Sequence, residues 1–309
     1  MLRKENINRL RLDSHRPFIS EKLFGPLWYK GEVCILFSDA NVGKSTLAND
    51  VAIGLQDKNW NFFEEEGCSC EITEKVNLVY FDLEMSDQQY LSKFKDMPYV
   101  DFLRLSQDYS DSSGILNVEE VLSNINAVIV PEAHNLIILD NLSAIDSMGG
   151  GFNRVRDFMY QLKRIVALTE NTSILLLAHT IKRKQNKPIS QNDLLGSKAI
   201  MNFCDSAFAL GKSVKGEDVR YIKQIKSRMT KKHDDVAEIR LLSSPYPHFE
   251  FVEWNAEEEH LKNMAENTKI DSCLGSEIMM LHRLGRSVRE ISSIVGISKS
   301  SVHRYIVKS

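Results

Sequence analysis

The sequence is short of several things, and each shortage narrows the field. No apolar run approaches the roughly 18 residues of a membrane-spanning helix, so a polytopic membrane protein is excluded and no membrane partner is expected. Only 15 glycines and 7 prolines occur in 309 residues, too few for collagen-like or low-complexity chains. Cysteine is scarce: Cys34, Cys68, Cys70, Cys204 and Cys273 make an odd set without paired metal-ligand spacing. The lone C-x-C at Cys68 and Cys70 reads as a surface loop rather than half a metal site. Residues 1–13 are charged throughout and hold no apolar h-region, so no secretory signal is expected. With this cysteine usage the expected compartment is a reducing cytoplasm. A large excess of one charge is missing too. The 39 Lys+Arg against 42 Asp+Glu leave −3, an average that argues against a nucleic-acid partner. What is present is ordinary for a folded protein. Hydrophobic residues make up 43% and charged residues 26%, too apolar for a disordered chain.

The length suits one large domain or a main domain with a small one. Apolar runs predict strands at residues 33–37, 76–82, 102–105, 136–139 and 173–178. Helical patterns lie between them at 44–56, 86–95, 118–130 and 154–169, the third stopped by Pro131. Strands alternating with helices imply βαβ units and a mainly parallel sheet, joined by right-handed crossovers. Beyond residue 205 the runs at 206–210, 219–225, 236–242 and 249–254 are separated by short turns. They predict antiparallel strands at one edge of the sheet. The expected organisation is an α/β domain over 1–255 with residues 1–25 as an extension. A polar linker over 256–269 and a small all-α domain over 270–309 follow.

The most specific local signal is Ser38-Asp39-Ala40-Asn41-Val42-Gly43-Lys44-Ser45-Thr46, placed after a predicted strand and opening a predicted helix. That is the context of a phosphate-binding Walker A loop. Gly43 lets the backbone approach a phosphate without a Cβ, and backbone N–H groups of residues 39–46 face the anion. Lys44 reaches the β- and γ-phosphates of ATP, and the Ser45 hydroxyl sits on Mg²⁺. The pattern asks for glycine at position 38, and serine stands there, tolerable if φ stays negative. Leu136-Ile137-Ile138-Leu139-Asp140 reads as the Walker B strand, with Asp140 holding Mg²⁺ largely through water. Asn141 follows it rather than a glutamate, so the group that orients the attacking water comes from elsewhere. Glu84, at the carboxyl end of the second strand, is placed for that role, with Asp82 as the competing candidate.

Together these residues resemble the RecA-like hexameric ATPases, and more closely the RepA/DnaB replicative-helicase branch and its relatives in mobile elements. The resemblance runs through most of residues 25–255. It takes in Lys30-Gly31-Glu32, the Walker A loop, Asp82-x-Glu84-Met85-Ser86 and the Walker B strand. It continues with Leu177-Ala178-His179-Thr180, Leu195-Gly196-Ser197-Lys198-Ala199-Ile200, Asp205 and Lys226-Ser227-Arg228. It implies a RecA-like P-loop core, Glu84 as catalytic glutamate, and His179 as the sensor of the γ-phosphate. It also implies that Lys226 and Arg228 are a K-x-R pair reaching into a neighbouring subunit's ATP site, with Arg228 as arginine finger. A homo-oligomer, hexameric in form, follows from that pair. About 30 residues precede the core, so the compact RepA-like form is favoured over one with the large helical domain of DnaB.

The charge average hides a segregation. Residues 181–232 hold 13 Lys/Arg and 4 Asp/Glu, a local +9. Lys182, Arg183 and Lys184 begin three residues after His179. In RecA-like rings this segment lines the central pore, where it would track a single strand by its phosphates. No aromatic interleaves residues 182–187, so binding there is expected to be non-specific. Residues 287–306 read as a helix–turn–helix resembling those of resolvases and transposases. Ile291, Ile297, Val302 and Ile306 form its inside, and Lys299, Ser300, His303 and Arg304 face duplex DNA. The expectation is an ATP-hydrolysing, DNA-associated protein, a RepA-like helicase or translocase in replication or mobilisation of a plasmid or mobile element. The alternative is a helix–turn–helix regulator or recombinase-like RecA relative whose ATPase does not drive unwinding.

Overall fold

Each apolar run of the chain becomes a strand; up to residue 205 most of the segments between them become helices that cover the sheet, and beyond it they are short turns. The computed structural model describes residues 21–57, 60–64, 75–98, 101–106, 117–142, 151–169, 171–261, 272–295, 302–303 and 305–306. The strands are β1 (Lys22–Phe24), β2 (Trp28–Tyr29), β3 (Val33–Ser38), β4 (Val76–Asp82), β5 (Leu103–Ser106), β6 (His134–Asp140) and β7 (Thr172–His179). Four more follow: β8 (Ser206–Lys212), β9 (Val219–Lys226), β10 (Val236–Leu242) and β11 (His248–Asn255). The helices are α1 (Lys44–Gly54), α2 (Asp87–Phe94), α3 (Val118–Ala127), α4 (Gly151–Leu168), α5 (Ser197–Phe203), α6 (Ser272–Arg283) and α7 (Val288–Val295).

Nine strands form one sheet in the order β11-β10-β9-β8-β3-β7-β6-β4-β5. From β8 to β5 all neighbours are parallel. From β8 to β11 they are antiparallel. The fold is thus α/β with a mainly parallel sheet and an antiparallel edge. Alternation along β3 divides the core. Val33, Ile35 and Phe37 join one cluster with the buried stripe of α4, Val155, Phe158, Met159, Leu162 and Ile165. Cys34 and Leu36 join the other with Leu47, Ala48 and Val51 of α1.

Two differences from the sequence expectation stand at the domain's ends. Residues 22–29, expected in the N-terminal extension and its edge, form the β1–β2 hairpin. Its Leu23, Phe24, Leu27 and Trp28 are fully buried, and Phe24 packs on Trp60, Phe62, Phe63 and Phe208. Residues 257–260, expected in the linker, form a turn whose Glu257 and His260 are buried. Glu257 accepts from Lys223 and from the Ile189 N–H, and His260 stacks on Tyr221.

The described contacts divide the chain into two compact units. One runs to His260 apart from residues 185–187; the other takes those three and the chain from Leu261. In the second unit Ile278 of α6, Ile291 of α7 and Val302 are fully buried. A positive φ of 79° at Gly285 turns the chain out of α6, and the Ser287 and Glu290 side chains exchange bonds at the start of α7. Cys68, Cys70, Ile297, Lys299, Ser300 and Arg304 lie outside the described residues. Among the described residues no helix is long and apolar enough to cross a membrane.

Candidate active site

The sheet order puts the carboxyl ends of β3, β7, β6 and β4 side by side. Ser38 is level with His179, and Asp140 with Asp82. These four ends carry the Walker A loop, His179, Asp140 with Asn141, and Glu84. In an open α/β sheet that edge is where ligands bind.

The loop between β3 and α1 is built for an anion. Ser38 keeps a negative φ, while Asn41 (59°) and Gly43 (118°) take positive values. Gly43 is fixed twice over, because a Cβ on it would lie 2.7 Å from the Phe249 ring. Helix α1 then starts at Lys44 with no acidic side chain in its first turn, leaving its N-terminal amides for a negative ligand. Lys44 is buried. Its Nζ makes long contacts of 3.4–3.5 Å with Ser38 O, Ser38 Oγ and Asp39 O, and one closer contact of 3.1 Å with His179 Nδ1. Burial lowers its pKa, opposed by the charges of Asp140, Glu84 and Asp39.

Asp140 is fully buried. Its Oδ2 accepts the Tyr80 hydroxyl at 2.9 Å, and its Oδ1 has no hydrogen-bond partner. Burial pushes its pKa up to about 6, against the lowering influence of the Ser45 and Tyr80 hydroxyls. A buried carboxylate oxygen left without a partner is costly. With the Ser45 hydroxyl beside it, it suits a hard cation that takes oxygen ligands. The residues present therefore fit Mg²⁺, with Ser45 and Asp140 as its protein-side holders. Among the described residues no cluster of three His, Cys, Asp or Glu offers another metal site.

Glu84 and Asp82 part company here. Asp82 is fully buried and fully engaged. Its Oδ1 accepts the Glu84 and Met85 N–H groups at 3.2 and 2.8 Å, and its Oδ2 accepts Arg104 Nε and Nη2 at 3.1 and 2.8 Å. It shapes the turn that presents Glu84. Glu84 is exposed, and its Oε2 accepts from Asn141 Nδ2. Asn141 Nδ2 also lies 3.2 Å from His179 Nε2. Lys44 and the Asn141 amide are both donors, and a neutral imidazole accepts at one ring nitrogen only, so His179 accepts from Lys44 at Nδ1 or from Asn141 at Nε2 but not from both at once. Burial first, then the Lys44 charge, lowers the His179 pKa, so the ring is neutral near pH 7. Glu84, Asn141, His179 and Lys44 thus lie in one row across the strand ends, with His179 able to accept from only one of its two neighbours at a time.

A model of the AAA domain matches residues 5–185, more than half of the sequence. The chain belongs to the AAA domain family. It is a P-loop ATPase by that membership, and its fold is RecA-like. The crystal structure of the KaiC-like protein PH0186 from the hyperthermophilic archaeon Pyrococcus horikoshii OT3 superposes with a TM-score of 0.53. It is 14% identical, covering 77% of this chain and 100% of that one. No curated protein matches.

Other expected site residues of this AAA domain are placed as follows. Lys226 is turned inward, its Nζ donating to Met201 O and Cys204 O at 2.5 and 2.7 Å, at the end of α5. Arg228 is half exposed and reaches Asp205 Oδ1 at 3.3 Å and Asn202 O at 3.1 Å. Asp205 Oδ2 accepts the Val33 N–H, so Arg228 stands at the amino end of β3. Five residues at roughly 3.3 Å each separate that level from the Walker A loop, about 17 Å. Neither side chain meets its own chain's phosphate loop.

The basic segment splits. Lys182 and Lys184 are exposed. Arg183 is not: its side chain is 6% exposed, with Nε 3.5 Å from Asp39 Oδ2 and a hydrogen bond to the Tyr221 hydroxyl. Expected to face DNA, it is turned inward in this structure. An Asp39 carboxylate in the Walker A loop and a buried phenol draw the guanidinium inward. Thr180 also bonds Asp39. In the second unit His303 is exposed. Sequence reasoning passed over Asn141, noted only as a missing glutamate, and Arg104. Their partners are distant in the chain, and no local pattern marks them.

Proposed function

We propose that this AAA domain hydrolyses ATP at the β3, β7, β6 and β4 strand ends and couples hydrolysis to DNA, as a RepA-like helicase or translocase of a mobile element. One observation carries the reading. The Walker A loop, the orphaned Asp140 and the Glu84–Asn141–His179 chain meet at one edge, and the segment leaving His179 binds back to the loop through Thr180 and Arg183. Lys44 turns from His179 to the phosphates, and Glu84 holds and orients the attacking water. Ser45 and Asp140 would hold Mg²⁺, which when bound would supply charge neutralisation along the phosphates. His179, released by Lys44, becomes free to accept from Asn141 and so reports the phosphate state to the Lys182/Lys184 segment. The placement of Arg228 about 17 Å from its own loop supports action in trans on a neighbouring subunit, hence a ring, hexameric in the proposal.

A regulator with site-specific duplex binding is the second reading. The separate helical core around Ile278, Ile291 and Val302 supports a small helical unit as the duplex-reading part of such a regulator. ATP turnover measured with single-stranded DNA, with duplex DNA and without DNA, beside the native mass, separates the two. Stimulation by single strands and a ring mass support the motor. Sequence-selective duplex binding with DNA-independent turnover supports the regulator. No response to either DNA contradicts both.

A further inference from the structure

Arg220, near the start of β9, is an arginine without an obvious reason to be buried. Only 8% of its surface is exposed, and burial lowers its pKa from the usual value, with Asp218 opposing. Its guanidinium is spent on backbone carbonyls. Nη1 donates to Glu217 O at 2.7 Å and Val219 O at 2.8 Å, both at the β8–β9 turn. Nε donates at 3.0 Å to Val42 O, in the Walker A loop 178 positions away.

The Val42 carbonyl belongs to the same peptide plane as the Gly43 N–H. In a planar trans peptide the C=O and N–H point in opposite directions. Drawing the carbonyl toward the β8–β9 turn therefore turns the amide the other way. A phosphate loop works by making successive N–H groups converge on the anion, which leaves their carbonyls pointing outward and in need of donors. Val42 is 2% exposed, so water does not serve that carbonyl. Gly43, at φ 118°, has the freedom to rotate this plane, so something outside the loop must hold it.

We infer that Arg220 is a positioning residue for nucleotide binding: by holding Val42 O it aims the Gly43 amide at the bound phosphate. The inference rests on the reading of this loop as an ATP site. It touches no reacting atom, so its mark is on affinity rather than on the chemical step.

The test compares wild type, Arg220→Met and Arg220→Lys. Calorimetry gives the dissociation constant of MgADP, steady-state turnover gives kcat and KM for ATP, and thermal unfolding gives stability. Methionine keeps much of the volume and removes every donor. It is expected to weaken MgADP about tenfold and raise KM alike, with kcat within threefold. Lysine keeps a charge but not the planar fork, and is expected to fall between. A lower Tm with unchanged Kd and KM, or a loss confined to kcat, would overturn the inference. Should Arg220→Met not fold, Arg220→Lys with wild-type MgADP affinity overturns it as well. A wild-type chain that binds no MgADP removes the ATP-site reading and this inference together. Wild-type binding with unaffected variants removes the inference alone.

Discussion

Glu32 gives the sharpest stability prediction, because it is a buried acid at the far end of β3 from the phosphate loop. Its Oε2 accepts the Tyr29 N–H at 3.1 Å and the Ser206 hydroxyl at 2.8 Å, while Oε1 has no partner. Burial pushes its pKa from 4.5 up to about 7, partly offset by those two bonds. The folded state thus binds the proton more tightly than the unfolded state. Stability is full below the unfolded value and is lost as pH rises through the folded one. The gap between 4.5 and about 7 corresponds to about 3 kcal/mol at ~1.36 kcal/mol per pH unit. Glu32→Gln keeps an oxygen for both bonds and cannot ionise. Urea unfolding of both proteins from pH 5 to pH 8.5, without nucleotide, should show the variant gaining on wild type as pH rises, by about 2–3 kcal/mol in all. A difference that stays flat or shrinks with pH would refute the account of Glu32. Wild type itself should slope more steeply than Glu32 alone requires, since Asp140, raised to about 6, acts in the same direction.

Four further outcomes follow from the site. Gly43→Ala forces a side chain into φ 118° and toward the Phe249 ring, and should abolish MgADP binding by calorimetry while the protein still folds. Lys182→Ala with Lys184→Ala should remove stimulation by single-stranded DNA and leave basal turnover within about twofold, because both are exposed and their proposed role is phosphate contact. Arg183→Ala should instead lower basal turnover, since it frees Asp39 in the Walker A loop; equal effects in the two experiments would contradict the split. Mixing Arg228→Ala with Lys44→Ala subunits should regain part of the activity that each lacks alone, through interfaces holding one intact Lys44 and one intact Arg228. No recovery on mixing would argue against action in trans.

Much of the fold is legible because its strands announce themselves. Residues 76–82 and 236–242 are β4 and β10 to the residue. Their ends are marked by abrupt changes from apolar to polar or turn-forming side chains. The β1–β2 hairpin escapes because its strands have three and two residues, too short for a period, and its burial depends on aromatics far along the chain. Helix α5 hides in the Gly196–Ile200 motif, where glycine reads as a turn although it caps the helix at φ 71°. The Walker residues are legible because their chemistry fixes local spacing. Asp82 and Glu84 are not separable by sequence, since the deciding partner, Arg104, arrives from β5. Arg183 counts as surface charge in any tally by residue type. The positions of Asp39 and Tyr221 in the fold turn it inward.

In the proposed function ATP is cleaved at the strand ends by the Lys44 and Glu84 machinery. Steady-state ATP turnover of wild type, Lys44→Ala and Glu84→Gln, each shown to be folded, tests it most directly. Wild type should hydrolyse ATP in Mg²⁺. Glu84→Gln should lose about 10²–10³-fold in kcat while retaining MgADP binding, and Lys44→Ala should lose both turnover and tight binding. Turnover in Lys44→Ala equal to wild type would contradict the account.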